Sequence, residues 1–281
     1  MESSTNIDAR TVEGFGEEWS RFDQNELSEI ERRRIFESYF AIFPWNRLPA
    51  HAVGADIGCG SGRWAQLVAP RVGRLALLDA SDKALEVAKR ALDGLKNVEF
   101  HHASVDSLPF ADASLDFAYS LGVLHHVPDT AAAIAAISRK LKPGAPFLIY
   151  LYYALDDAPA YYRAIFGATN ALRLIISRLP SRARFLFAES LAASVYLPLA
   201  RTARLLDAVG FLPGFFPLAQ YRDKSFYVMR TDALDRFGTR IEQRFTRAQI
   251  AGMMEHAGLS DIRFSDGEPY WVAVGYKLER T

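Results

Sequence analysis

One stretch near the start of the chain limits what the rest can fold into. An apolar run, Ala52-Val53-Gly54-Ala55, passes through Asp56-Ile57 into the alternating glycines Gly58, Gly60 and Gly62, and then reaches Arg63-Trp64. The pattern reads as a short strand, a tight glycine turn and the opening of a helix, which is how a βαβ unit begins. Glycines so spaced let the backbone turn sharply and approach a ligand closely. A dinucleotide-binding turn would carry a further glycine at position 63, where Arg63 stands. A carboxylate at Asp56 would repel a pyrophosphate and suits an ammonium or sulfonium charge. The expected ligand is a zwitterionic, cationic nucleoside rather than a phosphorylated one.

Downstream, strands and helices alternate. Arg74–Asp79 is expected as a buried strand ending in an acid, about 20 residues past the glycines, the distance at which a βαβ unit sets a carboxylate on ribose hydroxyls. Helices are expected at 61–70, 82–93 and 130–141, and further strands at 97–101, 114–120 and 146–152. The alternation predicts a parallel sheet covered on both faces, with ligands beyond the carboxyl ends of its strands. Asp79 has a second reading as an N-cap for the helix beginning near Ser81-Asp82.

Residues 153–245 break this rhythm with apolar, arginine-punctuated helical segments at 161–179, 183–197 and 199–209, too long for a simple connection. They read as a helical insertion or lid. A Gly/Pro/Phe stretch at 210–217 follows, and then a run dense in charge and aromatics, Arg222–Arg236, whose default reading is a solvated surface. The core pattern resumes with a helix at 246–257, capped by Thr246 and stopped by Gly258, and with strands at 259–264 and 270–278 joined as an antiparallel hairpin. The expected division is therefore an N-terminal helical flap over 1–50, a core over 51–152 and 246–281, and the insertion over 153–245. Within the flap, residues 26–43 read as a helix packed on the core, while Phe15, Trp19 and Phe22 could cover a bound ligand.

Composition excludes several classes. Lys+Arg and Asp+Glu both number 33, so no basic excess marks a nucleic-acid footprint. The single cysteine, Cys59, excludes an intramolecular disulfide and fits a reducing compartment. The first ten residues have no apolar core of a signal peptide, and no run approaches the ~20 apolar residues of a spanning helix. The expectation is a soluble cytoplasmic protein. Asp112, Asp116, His101 and His102 lie near one another but lack metal-ligand spacing, so no metal is expected.

Together, Asp56–Gly62, Asp79, Ser107-Leu108-Pro109-Phe110, Ser114-Leu115-Asp116-Phe117, Gly122-Val123-Leu124-His125-His126-Val127 and Leu141-Lys142-Pro143-Gly144 resemble the class I S-adenosylmethionine-dependent methyltransferases, in the small-molecule branch. The motifs occur in family order over 52–152, and the resemblance resumes over 245–278. It implies a three-layer, Rossmann-like α/β fold with a seven-stranded, mostly parallel sheet and an antiparallel last strand. The implied cofactor is S-adenosyl-L-methionine. It would contact Asp56, Gly58, Cys59, Gly60 and Gly62 through its methionine end, Asp79 through its ribose, Ala80, Ser104 and Val105 through its adenine, and Leu121 and Gly122 beside the methyl group. Two positions depart from the family pattern: Ser104 replaces a frequent acid, leaving the adenine contact to Ser104 or Asp106, and Ala145 replaces a second glycine.

Methyl transfer needs alignment above all, and a base only where the acceptor must lose a proton. Candidates are His125, His126 and Asp232, with Asp235 beside it; the histidines also read as part of the cofactor's surroundings. Trp19, Tyr152, Tyr153, Arg222 and Arg230 are candidate acceptor contacts, Lys224 and the two arginines for an anionic group. The expected partner is a small-molecule methyl acceptor, O-, N- or C-linked and with hydrophobic character. The insertion's apolar helices equally suit an acceptor pocket, a homodimer interface, or a membrane surface with Arg173, Arg178, Arg182 and Arg184 among lipid headgroups. The absence of a base-flipping motif argues against nucleic acid. The rival reading is a protein that binds S-adenosylmethionine without transferring its methyl group.

Overall fold

The computed structural model describes residues 6–24, 26–155, 158–213, 216–267, 269 and 271–279. The chain divides into two compact units, one comprising Met1–Asp23, Arg32–Ala154 and Ile241–Thr281, the other Gln24–Glu31 and Leu155–Arg240. The first holds a seven-stranded sheet of β1 (Val53–Ile57), β2 (Arg74–Asp79), β3 (Val98–His102), β4 (Phe117–Leu121), β5 (Pro146–Tyr150), β6 (Leu259–Phe264) and β7 (Val272–Lys277). Their order is β3-β2-β1-β4-β5-β7-β6, and β7 runs antiparallel to both its neighbours. The order reverses between β1 and β4, which opens a crevice at the carboxyl ends of those two strands. This is the expected sheet; Tyr270, the expected start of its last strand, lies outside the described residues.

Both faces are covered because the strands carry apolar residues on both. Ala55, Ile57, Ala76, Leu78, Ala118, Phe147 and Ile149 pack with Ile134 and Ile137 of α5 (Thr130–Lys140) and with Ile250 and Met254 of α10 (Arg247–His256). Leu75, Leu77, Phe117, Tyr119 and Leu148 face the other way. There they meet Phe36 of α2 (Glu29–Tyr39), Phe40, Phe43, Trp64, and Leu85 and Ala88 of α4 (Asp82–Ala91). The caps follow local chemistry. Ser81 and Asp129 accept from the third residue of their helices, and Thr246 and Gln249 form a reciprocal capping box.

Several boundaries differ from expectation. The helix expected over 61–70 is one short turn, α3 (Ala65–Val68), followed by a 3₁₀ turn containing Pro70, which cannot donate to continue it. Residues 24–31 group with the insertion rather than with the N-terminal flap, because Tyr227 Oη accepts from Gln24 N and Glu31 accepts from Ser225 N. Residues 241–245 belong with the sheet, where they form an extended segment: Gln243 N donates to His125 O at 2.9 Å and Phe245 N to Tyr152 O at 2.8 Å.

The second unit holds α6 (Ala160–Ile176), α7 (Ser181–Leu191), a π turn over Ala192–Tyr196, α8 (Leu197–Ala208) and α9 (Phe226–Gly238). The run read as a solvated surface is largely α9, which buries Tyr227, Val228, Met229, Ala233, Leu234 and Phe237. Its charges are accommodated rather than exposed: the Arg236 guanidinium lies 4.4 Å from the Phe166 ring centre. Arg173 donates to the carbonyls of Thr239 and Arg240, and Arg184 to that of Gly238, so two cations hold the negative end of α9.

At Gly54 a side chain has no room: an added Cβ would lie 2.1 Å from the Phe117 ring. Gly54→Ala is expected to lower unfolding free energy by about 1–3 kcal/mol in denaturant titrations through overpacking.

Candidate functional site

The glycine turn folds back over β2, with the amides of Gly58 and Cys59 both donating to Leu78 O at 2.8 and 2.9 Å. Gly58 and Gly60 take φ of +79° and +52°, and both are crowded. A Cβ at Gly58 would stand 2.5 Å from Val123, and one at Gly60 2.8 Å from the Trp19 indole. Gly62 faces Leu92 and Ala88, which a Cβ would meet at 3.0 and 3.2 Å. Cys59 is buried beside the two acids, which raise its thiol pKa after burial itself.

Asp79 organises the edge. One carboxyl oxygen accepts from Gly60 N and the other from Ser81 N, both at 2.9 Å. Ser81, not Asp79, is the N-cap of α4. Burial raises the Asp79 pKa, and the Ser81 and Gly60 amides oppose it. His102 bonds Ala80 O at 2.9 Å and pairs with Asp82 at 3.0 Å, fixing the residue expected at the adenine. Ser104 accepts from Asp106 N, and the Asp106 carboxylate accepts from Asn6 N. Val105 is buried next to them.

Asp56 is 2% exposed, beneath the turn and bonded by Tyr119 Oη at 2.9 Å. Burial pushes its pKa up to about 8; the Tyr119 bond opposes the shift, Asp79 adds to it, and Arg63 opposes it. The register explains the contact, since Asp56 and Tyr119 are partners across β1 and β4. The aromatic face supplies the desolvation, with Phe40 edge-on to Tyr119 at 5.3 Å.

The flap is realised as α1 (Ala9–Arg21), capped by Asp8. Gly16 fits it against Ser81, where a Cβ would meet Oγ at 2.4 Å. Trp19, expected as an acceptor contact, covers Gly60 of the glycine turn, and Phe15 lies 4.9 Å from His126. Phe22 is buried. Asn6 also exchanges two bonds with the backbone of Asp129, at 2.7 and 2.6 Å.

Past β4, Gly122 turns with φ of +80° and donates to Tyr150 O, next to Leu121. His125 is fully buried and stacks on Tyr152, ring centres 3.8 Å apart. Neither of its ring nitrogens has a hydrogen-bond partner among the described residues. Burial, then His126 and Arg244, holds its pKa well below the usual histidine range. His126 Nδ1 is bonded to Ile241 O at 2.6 Å. Arg244 lies 4.9 Å from the Tyr152 ring centre, donates to Tyr153 O and pairs with Glu242 at 2.9 Å. Tyr153 turns the other way, edge-on to Trp271.

The sequence reading thus brings together the glycine turn, Asp79, Trp19, His125, His126 and Tyr152. It missed Asn6, Tyr119, Glu242 and Arg244; the signal for the last two was the polar run Glu242-Gln243-Arg244 shortly ahead of the Thr246 capping box. Arg222, Arg230 and Asp232 lie in the second unit. Arg222 pairs with Asp207 at 3.1 Å, and Arg230 with Glu26 at 2.7 Å and Glu189 at 3.6 Å. Lys224 stacks on Tyr221, and Asp235 accepts from Thr239. Asp112 and Asp116 are tied to Lys140 and Lys142.

Residues 55–149 match the family described as "Methyltransferase domain". A curated relative from Aromatoleum aromaticum, "Ubiquinone biosynthesis O-methyltransferase", is 30% identical over 153 residues, 54% of this chain and 64% of the relative. The chain therefore spans just under two thirds of that relative. A protein of the same name from Thiobacillus denitrificans is 28% identical over 72% of this chain and 93% of its own length. Among solved structures, a SAM-dependent methyltransferase from Thermotoga maritima described as a possible histamine N-methyltransferase has a TM-score of 0.51 at 15% identity. The likeness covers 94% of this chain and all of that one, and it concerns the fold.

The buried acid gives a test with a fixed sign. Between pH 3.8 and about 8, Asp56 is ionised in the unfolded chain but still protonated in the folded one, so its contribution to stability declines as pH rises. Asp56→Asn keeps an acceptor for Tyr119 and removes that dependence. The variant is expected to gain thermal stability over the parent progressively from pH 5 to 8, by up to about 1.4 kcal/mol per pH unit.

Proposed function

We propose that the chain is a class I S-adenosylmethionine-dependent methyltransferase that methylates a hydroxyl oxygen on a small, largely apolar molecule, a reading supported by the methyltransferase-domain match over residues 55–149 and by relatives named as O-methyltransferases. The observation that carries the reading is the Asp79 carboxyl, held by the Gly60 and Ser81 amides at the carboxyl edge of a β3-β2-β1-β4-β5-β7-β6 sheet. Each of its oxygens keeps a lone pair for a ribose hydroxyl. The fit to S-adenosylmethionine rests also on Asp56, a buried acid whose protonated state gives way once a cation arrives. The bound cofactor supplies an electrophilic methyl group: the acceptor oxygen bonds to the methyl carbon, the carbon–sulfur bond breaks, and its electron pair stays on sulfur.

The remaining work belongs to the chain. In this reading Asp79 orients the ribose, Asp56 matches the ammonium charge, and α1 with Trp19 excludes water from the turn. His125 is assigned as the group that accepts the hydroxyl proton at a ring nitrogen, since it is neutral, buried and unpartnered. Choice of oxygen over nitrogen or carbon is supported by the relatives named as O-methyltransferases and by this neutral base.

Isothermal titration with S-adenosylmethionine tests the cofactor half; Asp79→Ala, checked for folding by circular dichroism, is expected to abolish binding. Normal binding by that variant would remove the assignment. His125→Ala is expected to lower kcat by about 10²–10⁴ on a hydroxylated acceptor while leaving cofactor affinity within about threefold. Binding without turnover across hydroxylated quinones, sugars and amines would favour the non-methylating alternative.

A further inference from the structure

The proposed base stands on a turn that is held from outside. His125 and His126 belong to a three-residue 3₁₀ turn, Leu124–His126, entered through Gly122 at φ of +80°. So short a turn closes few hydrogen bonds of its own, and its carbonyls need partners from elsewhere. Internally, His126 N donates to Val123 O at 2.9 Å. From α5, Thr130 Oγ1 donates to Leu124 O at 2.7 Å. Further partners come from the extended segment 241–245.

In an extended segment the backbone groups of residues two apart face the same side. Ile241 O accepts from His126 Nδ1 at 2.6 Å, and Gln243 N donates to His125 O at 2.9 Å. A carbonyl only accepts, so His126 carries a proton on Nδ1. The Gln243 side chain extends the grip: Nε2 donates to Val127 O at 2.6 Å and, more weakly, to Thr130 Oγ1 at 3.4 Å. Gln243 thus holds the carbonyls on both sides of His126 and ties the turn to the first residue of α5. The contact requires a donor, because the Val127 carbonyl only accepts and the Thr130 hydroxyl already gives its proton to Leu124 O. An ionised glutamate of the same size would have no proton to give and would face the Val127 carbonyl with like polarity.

We propose that the Gln243 side-chain amide is a positioning residue of the acceptor site, fixing the turn over residues 124–127 and with it the His125 ring. The proposal rests on the assignment of His125 as the base in methyl transfer. A base acts only within hydrogen-bond reach of the proton it takes, and a displacement of about 1 Å forfeits much of the rate.

The first test needs no acceptor. Imidazole proton–nitrogen correlation spectra of the chain saturated with S-adenosylmethionine compare the parent with Gln243→Glu and Gln243→Ala. The His125 and His126 signals should move in both variants, and the His126 Nδ1 proton should exchange about tenfold faster. His51, His101, His102 and His256 should stay in place, and cofactor affinity should stay within about threefold. Three outcomes would overturn the proposal: unmoved His125 and His126 signals, a Gln243→Glu spectrum matching the parent, or movement of every histidine. The second test reads turnover of a hydroxylated acceptor. Each variant should lower kcat by about ten- to a hundredfold with a smaller change in acceptor KM. In the His125→Ala background, adding Gln243→Ala should cost less than about twofold, since its effect passes through His125. Equal losses in both backgrounds would overturn the positioning role, whereas full activity of His125→Ala alone would remove the base assignment beneath it.

Discussion

The carboxyl edge of the sheet depends on one side chain accepting two amide hydrogens. By bonding Gly60 and Ser81, Asp79 ties the turn after β1 to the start of the helix after β2. The neighbouring parallel strands place Ile57 beside Leu78, which brings both amides within reach of the next residue of β2. The glycines can then take left-handed φ, and Ser81 is left free to cap α4. The same arrangement puts a second buried acid, Asp56, under the influence of the first. Two acids gathered at a largely buried edge, with amides and a phenol as their partners, form a site that the cation of the proposed cofactor would complete electrostatically.

What was legible in the sequence was local. The glycine spacing, the strand-end acid and the cap at Thr246 are each decided within a few residues by backbone donors and short polar side chains, whereas the cap of α4 is Ser81 and not the Asp79 that the sequence offered. The buried strands were readable because both faces are covered, which forces near-continuous apolar runs. What was not legible required distant partners. Asn6 finds its acceptor on Asp106, 100 residues away, and Tyr119 finds Asp56, 63 residues away. Arg244 comes near His125 because its segment hydrogen-bonds to His125 O and Tyr152 O, just past the ends of β4 and β5.

The second unit defeats pattern reading for a different reason. In α9 a dense run of charge is compatible with burial, because Arg236 lies on Phe166 and Phe237, and Arg230 lies on Tyr227 while meeting two carboxylates. In α6 the polar guanidinium is inside and the aliphatic side chains are outside. Amphipathicity read from the sequence alone does not say which face of such a helix meets the core.

The surroundings of His125 also constrain the acceptor under the proposed reaction. A neutral, buried imidazole readily accepts a hydrogen bond, but Arg244 nearby disfavours the imidazolium that a full proton transfer would create. The same guanidinium favours an oxyanion close to it, while its pairing with Glu242 moderates both effects. Under the proposed reaction, hydroxyls that are already acidic, such as phenols and enols, would ask least of His125. An aliphatic alcohol would require His125 to hold a proton that its surroundings push away.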